Sequence, residues 1–294
     1  MQFDDSNLDT SQLEDRRGGG GGGMGGMVGA GAGGLGIIGV IIAIIYMFMG
    51  GDPSTVMVGT DGTTTTSGSS SQTTQDIAAT CKTQQDIMNN DACFVLKTFN
   101  ETNEVWQQNL QGYTNPKLVY YSGGTQTGGC GSASSNAGPF YCPADQKVYI
   151  DLNFLNQLQK QYGLPGRNAQ AYIVAHEVGH HIQQQTGIEA KVRKLQQQNP
   201  SQANALSVKM ELQADCLAGV WARKANDNGN VRITQDEYNQ ALVAAAAVGD
   251  DAIMSSAGMR VNQEKFTHGS SAQRQQWFTT GFSTGDANKC NTFG

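Results

Sequence analysis

Charge is scarce in this chain. Of its 294 residues only 15% are charged, the net charge is -6, and no run of lysine or arginine occurs. Phosphate binding needs clustered cations, so no nucleic-acid partner is expected. Histidine is scarcer still, at four residues. Cysteine is absent before Cys81, and the six that follow (Cys81, Cys93, Cys130, Cys142, Cys216 and Cys290) never stand in Cys-x-x-Cys spacing. That missing spacing argues against a structural metal site built on cysteines. An even number of cysteines confined to one part of the chain fits disulfides in an oxidising compartment. Their connectivity is not dictated by sequence alone. Bridging nearest neighbours gives Cys81–Cys93 and Cys130–Cys142 and leaves Cys216–Cys290. The alternative is that some are buried free thiols.

Glycine is abundant, at 38 residues, but much of it is concentrated near the N-terminus, and this marks a boundary. Residues 1–27 read as a flexible cytoplasmic N-terminus: a polar stretch to Arg17, then nearly pure glycine over Gly18–Gly26. Residues 28–49 carry no charge. With Leu35–Met49 as apolar heart, they approach the roughly 20 residues that cross a bilayer. No Ala-x-Ala site follows, so the segment reads as an uncleaved anchor in the lipid bilayer rather than a signal peptide. Arg16-Arg17 before it and Asp52 after it place the N-terminus in the cytoplasm. Residues 50–75 form a Ser/Thr/Gly-rich linker, and residues 76–294 a globular domain with no internal repeat.

Within that domain the spacing of apolar residues predicts mostly helices with a small sheet, an α+β fold. Helices are expected at Ile77 behind an Asp76 cap, over Phe94–Leu110, over Asn153–Tyr162, after an Asn168 cap, and over Ser201–Lys224. Capping boxes at Thr234–Glu237 and Ser270–Gln273 open two more, the last stopped by Gly281. Leu118–Tyr121 and Lys147–Asp151 read as strands, and Gly123–Pro143 as loop.

The chemistry centres on His176-Glu-Val-Gly-His180. A helix repeats every 3.6 residues or about that, so histidines four apart can turn one nitrogen each to the same ion. Glu177 then stands beside the pocket, able to deprotonate a water. With 30 residues intervening after His180, Glu211-Leu-Gln-Ala-Asp215 repeats the i,i+4 spacing with carboxylates. Glu211 completes a three-ligand set for one catalytic Zn2+ and leaves a position for water. Asp215 is placed to accept a ring N–H from His176 or His180. His181, about 100° further round the helix from His180, does not reach the same ion and reads as supporting or surface.

The chain resembles the neutral zinc metallopeptidase family of bacterial membrane-anchored proteins. The likeness rests on His176-Glu-Val-Gly-His-His181, Glu211-Leu-Gln-Ala-Asp-Cys-Leu-Ala-Gly219 and Thr267-His-Gly-Ser-Ser-Ala-Gln-Arg274. It implies a zincin-like domain of gluzincin type behind one transmembrane helix. It also implies a polypeptide substrate and placement on the periplasmic side of a bacterial inner membrane. The third segment is similar to the Thr-His-Pro…Arg segment of membrane heat-shock and prenyl-protein proteases, with Gly269 in place of the proline. Among four histidines, His268 just before a helix start is a candidate donor to a developing oxyanion, with Arg274 behind it.

The activity expected is peptide-bond hydrolysis with Glu177 as general base and Zn2+ as Lewis acid. Val148–Asp151 is expected to be an edge strand that pairs with an extended substrate. The alternatives are a zinc amidase acting on cell-wall peptides and a tethered interaction or scaffold domain in which zinc only staples the fold. Nothing in the sequence signals an oligomeric state.

Overall fold

In a computed structural model, the structure describes residues 1–4, 8–17, 74–161 and 167–294. The expected anchor, the glycine run and most of the linker lie outside these residues. Among the described residues no helix is long and apolar enough to cross a membrane. The fold is mostly helical with small sheets, an α+β arrangement.

Three helices open the main body: α1 (Thr74–Thr80), α2 (Gln84–Asn89) and α3 (Asp91–Asn109). Asn90 caps α3 by accepting the backbone N–H groups of Ala92 and Cys93. The cystine Cys81–Cys93 ties α3 to the end of α1. Helix α3 is buried along most of its length, with Phe94, Leu96, Phe99 and Trp106 in the core.

The main sheet has four strands. Leu13–Asp15 pairs in parallel with Lys117–Tyr121, which pairs in parallel with Lys147–Asp151; Phe140–Cys142 closes the row antiparallel to Lys147–Asp151. This corrects two expectations. Lys147–Asp151 sits mid-sheet between two partners, so it cannot accept a substrate strand; its fully buried Val148, Tyr149 and Ile150 reflect that position. The Gly/Ser-rich stretch 123–143 is not all loop. Gly124–Gln126 and Ser132–Ser134 form a hairpin, and Phe140–Cys142 is the outer strand of the main sheet. Strands of three residues are too short to show periodicity, and the Cys130–Cys142 bridge holds this stretch together.

The N-terminal residues are also not a free tail. Gln2–Phe3 pairs with Val231–Arg232, and Leu13–Asp15 joins the main sheet as above. Phe3 and Leu13 are buried, and the Phe3 ring meets Phe94 edge-on at 5.4 Å. The two arginines that suggested a cytoplasmic flank are occupied on the domain: Arg16 with Glu14 and the Gln126 carbonyl, and Arg17 with Asp15 and over the Tyr120 ring. Two apolar residues within a polar stretch escape a periodicity reading, because the partners that bury them lie about 90 or more residues away in the chain. Residues 1–4 and 8–17 therefore fold with the domain.

Four more helices build the site. They are α5 (Asn168–Gln185), α7 (Ala203–Asn228), α9 (Asp250–Ser256) and α10 (Ser271–Thr284); α4 (Leu152–Gln161) precedes them, and α6 (Ile188–Gln198) and α8 (Gln235–Ala247) lie between them in the chain. Both expected capping boxes, Thr234–Glu237 and Ser270–Gln273, are formed. Asn168, however, does not cap α5. It is the first helical residue, and its amide donates to Gln240 Oε1 at 2.6 Å. Nor does Gly281 stop α10, which runs on to Thr284 and ends at Gly285 with φ 61°. Gly281 serves close approach instead: a Cβ there would lie 1.9 Å from the Cys216 carbonyl oxygen, and one at Gly219 would lie 2.1 Å from that of Phe278. Helices α7 and α10 cross backbone to backbone at these residues. The three cystines are Cys81–Cys93, Cys130–Cys142 and Cys216–Cys290, the nearest-neighbour pattern.

Candidate metal centre

Helix α5 carries His176, Glu177 and His180, and α7 carries Glu211 and Asp215. The two helices meet closely because Gly179 has no side chain. A Cβ there would stand 3.1 Å from the Ala214 backbone. Gly179 lies between the two histidines in sequence and Ala214 between the two carboxylates. The crossing thus brings both pairs together.

Donor atoms of His176, His180 and Glu211 lie within 4.8 Å of one another. His176 Nε2 is 3.1 Å from Glu211 Oε2, and His180 Nε2 is 3.4 Å from Glu211 Oε1. The other nitrogen of each ring is engaged elsewhere: His176 Nδ1 with Asp215 Oδ1 at 2.8 Å, and His180 Nδ1 with Gln183 Oε1 at 2.9 Å. Each imidazole therefore turns Nε2 to the common centre with Nδ1 held outside. Two imidazoles and one carboxylate on a shared point, with both second nitrogens hydrogen-bonded, is the donor set of a three-ligand zinc site. The residues fit the ion.

The electrostatics have the same sense. Burial opposes charge on His176, yet the Asp215 and Glu211 carboxylates override it and raise its pKa to about 10. Burial likewise works against a charged His180, and Glu211 reverses the balance and raises it. Burial would raise Glu211, but His180 and His176 hold it well below the usual carboxylate range. Such a cluster favours positive charge at its centre, which a divalent cation supplies. Glu177 behaves oppositely. Burial raises its pKa, with His180 and His176 partly offsetting the rise. A buried carboxyl with a raised pKa suits a group that takes up and gives back a proton.

Asp215 is fully buried and gathers four donors. It accepts the Tyr172 hydroxyl, His176 Nδ1 at 2.8 Å, Arg274 Nε at 2.8 Å and Arg274 Nη2 at 2.9 Å. Burial would raise its pKa, but Arg274 and His176 keep it low. The structure thus places Arg274 on Asp215, with Glu211 3.8 Å away, and not as a donor beside His268.

His268 is buried just before α10. Asp250, the first residue of α9, holds it: Oδ2 accepts the backbone N–H groups of Thr267, His268 and Gly269 at 2.7–2.9 Å, and Oδ1 faces His268 Nδ1 at 3.0 Å. Gly269 has φ 93°, which proline cannot adopt, so this loop takes a path closed to a Thr-His-Pro segment. A Cβ at Gly269 would lie 3.1 Å from Leu212 Cδ2 and 3.3 Å from Val208 Cγ1, which places the loop against the turns of α7 that flank Glu211. His181 points away from the centre. It is fully buried, accepts the Tyr141 hydroxyl at Nδ1 (2.8 Å) and sits 2.7 Å from the Thr114 carbonyl through Nε2. It is a core group, not a surface one.

Sequence reasoning missed Tyr172, Gln183 and Asp250. Tyr172 and Gln183 had a signal: they stand at i−4 from His176 and i+3 from His180, on the same helix face. Asp250 had none, because its contact with His268 depends on how α9 and α10 pack.

No solved structure matches this chain. Among curated proteins, "Uncharacterized protein YpfJ" of Escherichia coli (strain K12) is 50% identical over 199 residues, covering 66% of this chain and 68% of that protein. "Uncharacterized protein Rv2575" of Mycobacterium tuberculosis (strain ATCC 25618 / H37Rv) is 44% identical over 222 residues, covering 72% and 74%. Residues 1–293, the docked N-terminal strands included, match the family described as "Putative neutral zinc metallopeptidase", and the chain belongs to that family.

Proposed function

We propose that the protein is a zinc-dependent endopeptidase that hydrolyses peptide bonds with Glu177 as general base. The observation that carries this reading is the convergence of His176, His180 and Glu211 on one point beside a buried Glu177 with a raised pKa. Zinc held by those three side chains supplies a Lewis acid that polarises the scissile carbonyl and acidifies the attacking water. Glu177 takes the proton of that water and returns it to the leaving amine. His268, oriented by Asp250, donates to the oxyanion as it develops. The Asp250 carboxylate accepts only, so His268 Nδ1 carries a proton and Nε2 donates when the ring is an imidazolium. Asp215 fixes the His176 ring, and Arg274 and Tyr172 fix Asp215.

Substrate recognition moves from Lys147–Asp151 to the outer strand Phe140–Cys142. One edge of that strand pairs with Lys147–Asp151, and the backbone at Tyr141 lies near enough to Glu177 to act on its charge. An extended peptide laid along the other edge would pass the base. Family membership favours peptide over other amide substrates. The scaffold alternative is disfavoured because structural zinc sites normally use four protein ligands.

The three cystines support an extracytoplasmic location. We retain residues 28–49 as a membrane-attachment segment on composition alone. The pairing of Gln2–Phe3 and Leu13–Asp15 supports placing the N-terminal strands beside the peptidase domain rather than in the cytoplasm.

Incubation of the metal-loaded full chain with denatured proteins or a broad peptide library, with and without chelator, tests the activity. Chelator-sensitive internal cleavage is expected, and its absence across broad substrates would overturn the reading.

A further inference from the structure

Of the two histidines of the centre, His176 is oriented by a carboxylate and His180 by an amide. Gln183 is fully buried one turn along α5, and its Oε1 lies 2.9 Å from His180 Nδ1. Its Nε2 donates to the Met210 carbonyl at 2.8 Å and to Gln213 Oε1 at 3.0 Å. Gln213 Nε2 in turn donates to the Cys290 carbonyl at 2.9 Å. Cys290 is bonded to Cys216 on α7, so this last acceptor belongs to the chain's C-terminal segment and is tied covalently to the helix that bears Glu211.

The polarity of the chain of amides is forced from its far end. A backbone carbonyl only accepts, so Gln213 presents its NH2 to Cys290 and its oxygen to Gln183. Gln183 faces two acceptors, the Met210 carbonyl and that oxygen, so it too must present its NH2 there. Its own oxygen is left for His180, which therefore carries hydrogen on Nδ1. The Nε2 lone pair is free for the metal. An amide turned over would face two carbonyl-type oxygens with an oxygen and leave buried groups unpaired, which is costly.

We propose that Gln183 and Gln213 are positioning residues that set the tautomer and ring orientation of His180, with the Cys290 carbonyl, anchored by the Cys216 bridge, as the fixed end. This rests on the zinc reading of the site, and the experiment separates the two. Zinc affinity of the full chain is measured by competition with a zinc-binding fluorophore for the native protein, Gln183→Leu and Gln213→Leu. The imidazole N–H region of the proton spectrum of the zinc-loaded proteins supplies a second readout, which a merely structural role would leave in place. Gln183→Leu is expected to bind zinc about 10–100-fold more weakly. Gln213→Leu is expected to lose less, because the Met210 carbonyl still holds Gln183. A slowly exchanging His180 Nδ1–H resonance is expected in the native protein and is expected to be lost in Gln183→Leu. If Gln183→Leu fails to fold, Gln213→Leu carries the test. Native zinc affinity and an unchanged N–H resonance in the variants would overturn the proposal and leave the zinc site standing. Failure of the native protein itself to bind zinc would overturn both.

Discussion

Replacing Asp215 by Asn tests the most concentrated set of interactions in the molecule. The carboxylate is fully buried and accepts from Tyr172, His176 and twice from Arg274. Oδ1 takes three of these donors and Oδ2 takes Arg274 Nε. Asn is least disruptive with its oxygen in the Oδ1 position, which turns its NH2 against Arg274 Nε–H. The guanidinium, 3% exposed, then loses both its charge partner and one acceptor. Its nearest remaining carboxylate is Glu211 at 3.8 Å. Removing one partner of a buried ion pair costs about 3–5 kcal/mol, so we expect a loss in that range for the metal-free protein. Urea unfolding in the presence of chelator reads it as a lowered midpoint at unchanged slope. Asp215→Asn combined with Arg274→Met should lose less than the sum of the single changes, because the stranded cation is gone. Zinc affinity of Asp215→Asn should also fall, by about 10–100-fold, since His176 loses its orienting acceptor. A stability loss below about 1 kcal/mol, the size of an exposed pair, would refute the reasoning.

His268→Ala should lower kcat on a peptide substrate by about 10²–10³-fold while zinc content stays native, as expected for a lost oxyanion donor; a drop confined to KM would remove that role. Asp250→Asn should act in the same direction through His268. Phe3→Ala should destabilise the protein by about 3–5 kcal/mol in chemical unfolding, and a probe attached near exposed Asp9 should react from the same side of the membrane as one on the domain. Reaction from opposite sides would contradict the docking of residues 1–17. His181 is neutral in the fold, its pKa lowered by burial despite the Thr114 carbonyl. The unfolded chain therefore binds more protons than the native one below the unfolded histidine value of about 6.5, and stability drains as pH falls through that region. His181→Gln should flatten this part of a stability-against-pH profile, which a circular dichroism titration would show.

The metal centre was legible because its chemistry is local. His176 and His180, like Glu211 and Asp215, are i,i+4 pairs, and a helix puts each pair on one face whatever surrounds it. The nearest-neighbour cystines were legible for a similar reason, since a short loop brings Cys81 near Cys93 and Cys130 near Cys142. What stayed hidden depends on distant partners. Phe3 and Leu13 look like stray apolar residues until Phe94 and Leu118 are placed beside them. Lys147–Asp151 reads as a strand, but its central position follows from partners on both sides. Gly281 looks like a helix stop because glycine usually is one near a helix end. Its actual use, a backbone crossing with Cys216, is written in α7 and not in its own neighbourhood. Asp250 acts on His268 across two helices, and no spacing rule connects them.

The most direct test of the central claim is Glu177→Gln in the full chain. The substitution keeps the side chain's size and removes the proton acceptor. The variant should fold, keep its zinc and bind the ion as the native protein does, while chelator-sensitive peptide cleavage falls by about 10²–10⁴-fold. Cleavage at the native rate by a zinc-loaded Glu177→Gln protein would contradict the account.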